Sequence, residues 1–454
     1  FLVSEGIRQS GTLGQVIKKL LPQGKTTVFK AQLRILPSVA FISAFLNNTP
    51  VVVIFAPIIK HWAKSVNLPA TKFLIPLSYV TILGGICTLI GTSTNLVVHG
   101  MILEAGFEGF SMFELGKVGI FIAIAGIIYI FLFSKRLLPD ARPDTAVPDE
   151  EVEEGEKLHR VEAILGARFP GINKKLKDFN FQRHYGAEVK EIKTRNGQRF
   201  VTNLEDVVLH EGDTLVVMAD DTFIPTWGES SVFVLLTNGN EPDTTGKKKR
   251  WFALLLLVLM IVGATVGELP VTKEMFPDIK LDMFFFVSIT TIIMAWTNLF
   301  PARKYTKYIS WDILITIACA FAISKAMVNS GVADSVAKFI IGLSDDYGPH
   351  VLLAMLFIIT NLFTELITNN AAAALAFPLA LSIASQLGVS PTPFFVVICM
   401  AASASFSTPI GYQTNLIVQG IGNYKFTDFV RIGLPLNIIT FLISIILIPL
   451  IWNF

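Results

Sequence analysis

Two short polar motifs interrupt otherwise apolar stretches of this chain. The first, 47–49 (Asn-Asn-Thr), lies within 34–60, and the second, 368–370 (Thr-Asn-Asn), lies within 351–387. Asn supplies an amide donor and a carbonyl acceptor, and Thr supplies a hydroxyl. At the tip of a broken helical hairpin, the free N–H groups of a helix N-terminus favour an anion, whereas an opposing C-terminus with unwound carbonyls favours a small cation such as sodium. These motifs therefore predict neighbouring anion and sodium sites.

Two further polar breaks, 91–95 (GTSTN) and 411–415 (GYQTN), are expected to close each site from the other side. Neither tip motif contains Lys or Arg, so a bound anion would be held by neutral dipoles and co-bound cations. The alternative is that these Asn and Thr residues only join neighbouring helices, but their paired occurrence favours a site. Glu365 could be a proton or ion ligand, or it could brace its hairpin, and the sequence leaves both interpretations open.

An internal repeat links the two sets of motifs. Ser10-Gly11 recurs as Ser330-Gly331, and NNTPVVVIFAP at 47–57 corresponds to TNNAAAALAFP at 368–378. TLIGTSTNLVVHG at 88–100 corresponds to TPIGYQTNLIVQG at 408–420, with almost the same offset along the chain. Similarity between apolar helices would not by itself match the polar breaks. The order of the motifs predicts two homologous membrane repeats.

The composition is that of a membrane protein with a soluble insert. Hydrophobic residues make up 52% of the 454 residues and charged residues 16%, against roughly 25% charged in soluble domains. Residues 140–250 carry 37 of the 72 charged side chains. The net charge of +2 does not suggest nucleic-acid binding, and no Walker loop, metal cluster or Ser-His-Asp arrangement suggests an enzyme. Candidate membrane spans are 74–103 (interrupted), 117–134, 251–269, 281–300, 309–328 and 429–452.

Basic residues near the ends of these spans predict their orientation. Lys and Arg cluster before the first hairpin, at 135–136 and at 247–250, whereas Lys338, Asp345, Asp346 and His350 precede the second hairpin. By the positive-inside rule, the first hairpin enters from the cytoplasm and the second from outside. The two repeats are therefore expected to be inverted, in a plasma (inner) membrane, with residues 139–250 in the cytoplasm.

The chain divides into five predicted regions. They are membrane repeat 1 (1–138), an acidic linker (139–157), a small cytoplasmic domain with short strands (158–226), a second linker (227–250) and membrane repeat 2 (251–454). In the second repeat the predicted helices of 251–320 precede Phe321, the counterpart of Phe1, and the first repeat has no equivalent. We therefore expect two to three transmembrane helices to be missing before Phe1. The hairpin arms, at about 11–16 residues, are expected to be too short to cross a bilayer.

The membrane part resembles the divalent anion:sodium symporter family, the solute carrier 13 group. That family has two Ser-Asn-Thr tips, and 47–49 and 368–370 match them with changes at three positions. The insert resembles the TrkA-C domain through 159–192 and 209–219. The resemblance implies an all-α polytopic protein with inverted repeats and two re-entrant helical hairpins, plus a small α/β insert. It also implies a homodimer that works by an elevator motion, with a possible small-molecule or nucleotide regulator at the insert.

The resemblance also implies a division of roles among the tip residues. The residues expected to face the anion are Asn48, Thr49, Thr92, Asn369, Asn370 and Tyr412. Those expected to hold sodium are Ser43, Asn47, Asn48 and Gly91 in the first repeat and Thr364, Thr368, Asn369 and Gly411 in the second. The expected activity is sodium-coupled uptake of a divalent anion, with sulfate favoured over C4 dicarboxylates. The alternatives are a proton-coupled antiporter or efflux permease of the same superfamily, and a channel or sensor gated by the insert.

Overall fold

The computed structural model describes residues 2–140, 159–166, 168–194, 198–220, 223–227, 232–237, 247–267, 269–275, 281–309, 311–343 and 348–454. The first membrane stretch is helical throughout its described elements. Its helices are α1 (Leu2–Gln9), α2 (Thr12–Leu20), α3 (Val28–Ser43), α4 (Asn48–Ser65), α5 (Leu74–Gly85), α6 (Ser93–Glu104) and α7 (Gly116–Leu137), with a short 3-10 turn at Ala70–Lys72.

The insert contains an antiparallel sheet of five strands in the order β3-β2-β4-β1-β5. Its elements are β1 (His159–Leu165), a 3-10 turn (Leu176–Asp178), α8 (Phe181–Tyr185), β2 (Glu188–Lys193), β3 (Arg199–Phe200), a second 3-10 turn (Leu204–Asp206), β4 (Thr214–Ala219), α9 (Phe223–Trp227) and β5 (Phe233–Thr237). Val161 on β1 is paired with Val217 on β4. Buried aromatic side chains, with Phe169 among them, pack beneath the sheet.

The sheet extends beyond the predicted end of this domain. Strand β5 lies within 227–250, which we expected to be a linker, and it pairs with β1 so that Ala163 is opposite Leu236. The sequence of β5, FVLLT, is a short apolar run that periodicity cannot distinguish from a buried helical segment. Pairing with β1 makes it a strand. The acidic linker lies mostly outside the described residues.

The second membrane stretch is also helical. Its helices are α10 (Lys247–Gly267), α11 (Pro270–Met275), α12 (Met283–Trp296), α13 (Trp311–Asn329), α14 (Val332–Leu343), α15 (Gly348–Leu366), α16 (Asn369–Leu387), α17 (Thr392–Ser403), α18 (Gln413–Gly422) and α19 (Phe426–Ile451), with a 3-10 segment at Ala302–Tyr308.

Several helices are long and apolar enough to cross a bilayer. In the described part of the chain these are α7, α10, α15, α16 and α19, and α13 with α14 form a further pair bent by 71°. The expected spans 117–134, 251–269 and 429–452 correspond to α7, α10 and α19. Gly331, between α13 and α14, has a φ of +72°, which a glycine adopts readily. These helices are consistent with an integral membrane protein.

Some expected spans differ from the helices observed. The stretch 74–103 forms two helices, α5 and α6, rather than one interrupted span. Helix α12 has 14 residues and ends at Trp296, before the predicted limit of 300, and Asn298 just beyond it has a φ of +52°. The expectation of short hairpin arms was wrong for α15 and α16, each of which has 19 residues. Helix α16 runs on until Gly388, whose positive φ ends it.

Helices from the two membrane stretches pack against each other. Helix α4 packs on α18, α6 on α16 and α17, and α7 on α19. At the last of these contacts the Tyr129 hydroxyl donates to the carbonyl of Ile432 at 3.0 Å. Because α4, α6, α16 and α18 each begin at one of the polar breaks, this packing brings the four breaks together.

The insert docks on two of these helices. Lys60 on α4 forms an ion pair with Glu162 on β1 at 3.2 Å, and Lys193 lies 3.5 Å from the same carboxylate. At Gly420 on α18 the contact is close, since a Cβ there would lie 2.7 Å from Thr214 Oγ1. The insert therefore contacts the far ends of the helices that carry the first tip and the second break.

Candidate functional site

The first tip is a short non-helical link between α3 and α4. Helix α3 ends at Ser43, and Asn47 caps α4 by accepting a hydrogen bond from the backbone N–H of Thr49 at 3.4 Å. The buried Asn48 side chain turns back toward α3, and its Oδ1 accepts a hydrogen bond from Ser43 Oγ at 2.8 Å. Asn and Thr form such caps because their side chains replace the missing helical partners of the first N–H groups.

The second tip has the same local construction. Helix α15 ends at Leu366, and Thr368 caps α16 by accepting from the N–H of Ala371 at 3.4 Å. The exposed Thr368 side chain thus faces its own helix, as does Asn47 at the first tip. The structure does not bring either of these two predicted sodium ligands into the contacts that join the two tips.

The second tip binds the first polar break. Asn369 Nδ2 donates to Thr94 Oγ1 at 2.6 Å, and Thr94 Oγ1 donates in turn to Asn370 Oδ1 at 3.3 Å. Ser93 Oγ also donates to Asn370 Oδ1, at 3.2 Å. Asn369, Asn370 and Thr94 are all buried. The second hairpin therefore contacts the break that belongs to the first membrane stretch.

Tyr412, in the second polar break, joins the two tips. Asn48 Nδ2 donates to the Tyr412 hydroxyl at 2.6 Å, and Thr92 Oγ1 lies 2.9 Å from the same oxygen. Asn369, at the second tip, is a further neighbour of this hydroxyl. Next to it, Thr49 Oγ1 donates to Gln413 Oε1 at 3.2 Å. Five of the six residues expected to face the anion are within this network through Tyr412 and Thr94, and Thr49 is at its edge.

Glycines allow the backbone to approach these side chains. A Cβ on Gly91 would lie 2.4 Å from the carbonyl oxygen of Gly85, and a Cβ on Gly85 would lie 2.5 Å from Asn48 Oδ1. In the second half, a Cβ on Gly411 would lie 2.3 Å from the carbonyl oxygen of Thr364. The predicted sodium ligands Gly91 and Gly411 thus lie beside Asn48 and Thr364 respectively.

The two polar breaks share a set of hydrogen bonds that we did not predict. Gly91 N–H donates to Thr88 Oγ1 at 3.1 Å and Asn95 Nδ2 to the carbonyl of Thr88 at 2.9 Å. At the corresponding positions of the second break, Gly411 N–H donates to Thr408 Oγ1 at 3.3 Å and Asn415 Nδ2 to the carbonyl of Thr408 at 3.1 Å. The shared pattern Thr-x-x-Gly-x-x-Thr-Asn, visible in the sequence, could have identified these residues.

The electrostatics of the site come from helix ends rather than from charged side chains. Four helices, α4, α6, α16 and α18, begin at the residues joined above, while α3, α5, α15 and α17 end beside them. Every hydrogen-bond partner of the tip residues named above is uncharged. Helix N-termini carry partial positive charge and free N–H groups, and C-termini carry free carbonyls. The arrangement can therefore hold an anion and small cations side by side.

Comparison with known proteins agrees with these observations. The family model "CitMHS: Citrate transporter" matches residues 1–384 and 275–454. An uncharacterized transporter of Synechocystis is 30% identical, with 100% of this chain and 88% of the relative covered. A putative sulfur deprivation response regulator of Chlamydomonas reinhardtii is 28% identical, covering 98% of this chain and 90% of that protein. A probable sodium/sulfate cotransporter 3 of the same alga is 33% identical over 62% of this chain and 31% of its own length.

The matching family and the names of these relatives point to a membrane transporter and not to an enzyme. Because the family model covers the whole chain, the chain belongs to the CitMHS citrate transporter family, within the divalent anion:sodium symporter superfamily. The resemblance on which we based the expected activity is confirmed to that level.

Proposed function

We propose that this protein is a secondary transporter that takes up a divalent anion together with sodium, and that sulfate is the preferred anion. The observation that carries the proposal is the meeting of four helix N-termini around the Tyr412 hydroxyl, with only neutral side chains between them. Such a centre attracts an anion without binding it too tightly to be released, because no Lys or Arg holds it.

Sodium supplies the compensation that a dianion needs in a medium of low dielectric constant. The amide oxygens of Asn48 and Asn369 and the carbonyls beside Gly91 and Gly411 are hard ligands suited to a small cation. We assign the first sodium to Ser43, Asn47, Asn48 and Gly91. We assign the second to Thr364, Thr368, Asn369 and Gly411. The sodium/sulfate cotransporter of the alga supports this coupling.

We further propose that the two membrane stretches are inverted repeats, each with one re-entrant hairpin, and that they work by an elevator motion in a homodimer of the plasma membrane. Matching hydrogen bonds at corresponding positions support a shared origin of the two polar breaks. The exchange of contacts between the halves, with Tyr412 on Asn48 and Asn369 on Thr94, supports a transport domain built from both.

The insert is proposed to be a cytoplasmic TrkA-C domain that regulates transport, with a small molecule or nucleotide as its ligand. Its contacts with Lys60 and Gly420 support this role, because they lie on α4 and α18, whose other ends form the site. The rest of the insert, where the structure describes it, contributes no residue to the contacts between the tips.

Uptake into proteoliposomes tests the transport proposal. With a sodium gradient, radiolabelled sulfate should accumulate, and it should not accumulate when choline replaces sodium. Asn48→Ala and Asn369→Ala should each raise the half-saturating sodium concentration or abolish uptake, because each removes an amide oxygen near the ion.

The matched control is Gln32→Ala. Gln32 is also a buried amide, and it donates to the carbonyl of Lys72 at 2.6 Å, away from the tips. It should leave the sodium dependence unchanged even if it lowers stability. Full activity of both Asn variants at unchanged sodium dependence would refute the proposal.

Competition identifies the anion. The neutral donors suit a compact dianion that stays doubly charged at physiological pH, whereas a dicarboxylate needs two separated donor clusters. We propose that the bulky Tyr412, which is buried between the tips, shortens the room available for a second cluster. Excess sulfate or thiosulfate should suppress labelled sulfate uptake far more than succinate, malate or citrate. Saturable sodium-driven uptake of a dicarboxylate, with strong inhibition of sulfate uptake, would reverse this order.

A further inference from the structure

A carboxylate lies beside the site and has no charged partner among the residues that the structure describes. Glu365 is in the last turn of α15, and its Oε1 accepts hydrogen bonds from the N–H of Ser407 at 2.9 Å and from Asn437 Nδ2 at 2.7 Å. Its Oε2 is buried and has no hydrogen-bond partner among the residues that the structure describes. In that same part of the chain no Lys, Arg or His pairs with Glu365. An ion in such surroundings is costly unless something compensates its charge.

A second unpartnered oxygen belongs to the same cluster. Asn437 on α19 is 6% exposed, and its Nδ2 donates both to Glu365 and to Ser407 Oγ, the latter at 2.8 Å. Its Oδ1 is buried and, within the described ranges, has no donor. Two buried acceptors without donors, together with a hydroxyl oxygen and one negative charge, leave the cluster with too many oxygens and too few positive groups.

We propose that Glu365, Asn437 and Ser407 bind a monovalent alkali cation, with sodium as the physiological ion, at a position separate from the two sodium positions at the tips. One carboxylate and one monovalent cation balance in charge, and carboxylate, amide and hydroxyl oxygens are the ligands of hard cations. A divalent cation would leave the cluster with net positive charge.

The position of this cluster connects it to Tyr412. Ser407 lies in the segment 404–412 that links α17 to α18, and Thr408 Oγ1 in the same segment donates to the carbonyl of Glu365 at 3.0 Å. A cation at the cluster would hold this segment against the end of α15, and the segment carries Tyr412 to the tips. The role of this cation in coupling rests on the proposed function, but the binding of the cation does not require an anion.

Sodium titration of the purified full chain without any anion tests this inference. Bound radioactive sodium and the apparent melting temperature would be followed, with choline replacing sodium at constant ionic strength. Glu365→Gln keeps the size and the acceptor for Ser407 N–H but removes the charge. We expect Glu365→Gln to raise the sodium concentration that half-saturates the proposed cation site about 10- to 100-fold. Ser407→Ala should raise it by a smaller factor, about threefold.

The matched control is Glu114→Gln. Glu114 is also half-buried, but both of its oxygens have donors, the N–H of Ser111 at 3.1 Å and Trp452 Nε1 at 3.2 Å. It should leave the sodium titration unchanged. The effect of Glu365→Gln should persist in an Asn48→Ala background and in an Asn369→Ala background, because the cluster is separate from both sodium positions at the tips.

The outcomes separate this inference from the proposed function. A sodium titration of Glu365→Gln equal to that of the wild type overturns the site. The site is also overturned if the stability difference between Glu365→Gln and the wild type changes with pH but not with sodium concentration. Such a result would show that the Glu365 carboxyl is protonated and holds no cation. If Glu365→Gln does not fold, an unchanged titration of Ser407→Ala overturns it equally. If sulfate uptake is absent while the titration behaves as expected, the proposed function fails and the cation site stands.

Discussion

Removing the Tyr412 hydroxyl should weaken the contacts that join the two tips and, under the proposed function, the binding of the anion. Tyr412→Phe leaves the ring in place and deletes the oxygen that accepts from Asn48 Nδ2 at 2.6 Å and lies 2.9 Å from Thr92 Oγ1. A buried hydrogen bond contributes about 1 kcal/mol net, and a buried donor left without an acceptor costs about 1–3 kcal/mol. Bonds between membrane helices average about 0.6 kcal/mol. We therefore expect the contacts that join the tips to lose about 0.6–3 kcal/mol of stability.

Under the proposed function the same change should also weaken transport, because Tyr412 is one of the residues proposed to face the anion. A loss of about 1.4 kcal/mol in anion binding raises the KM for sulfate about tenfold. Sulfate uptake against concentration, at saturating sodium, measures this, together with the apparent melting temperature in detergent.

The control is Tyr424→Phe. The Tyr424 hydroxyl is also buried and donates to the carbonyl of Thr71 at 2.5 Å, away from the tips, so its loss should lower stability without changing KM. A KM and a melting temperature of Tyr412→Phe equal to those of the wild type would refute the reasoning. An equal rise in KM for both variants would show a general loss of structure.

Three further predictions concern the surroundings of the site. Burial raises the pKa of Glu162, but Lys60 and Lys193 outweigh it, so the pKa is lowered and the carboxylate stabilises docking above its unfolded pKa of about 4.3. This stability is lost as the pH falls from the unfolded pKa of about 4.3 through the lower folded pKa of Glu162. The melting temperature of the wild type should therefore fall over that range, and a similar fall in Glu162→Gln would contradict this reasoning. Gly411→Ala should abolish uptake, because its Cβ would lie 2.3 Å from the carbonyl oxygen of Thr364. The control Gly100→Ala should remain active, because the nearest atom to its Cβ would be 3.7 Å away. Uptake by the Gly411→Ala protein would disprove the close packing at Gly411. Excising about 145–245 and joining the ends by a flexible linker should leave a folded, sodium-coupled carrier, and a folded product that binds no substrate would place the insert in the mechanism.

The positions of the helix breaks at the two tips could be predicted because they depend on local chemistry. Asn47 and Thr368 cap helices wherever they are followed by a helical segment, so the starts of α4 and α16 follow from short stretches of sequence. The internal repeat added the pairing of motifs, and the family resemblance assigned the residues around them. The lengths of α15 and α16 were missed because the whole motif 368–370 was assigned to the break, whereas α15 begins earlier, at Gly348, and α16 already begins at Asn369.

The contacts between distant parts of the chain were decided by tertiary structure alone. Tyr412 meets Asn48 across 364 residues, and Glu365 meets Asn437 across 72. Neither pair has a local signal, because each depends on which helix ends the packing brings together. Strand β5 is a similar case, since its apolar run becomes a strand through its partner β1. The sequence by itself determined where the chain breaks its helices and which neutral groups it places there. The fold decided which of those groups face each other, because hydrogen bonds between helices form only after the helices have packed.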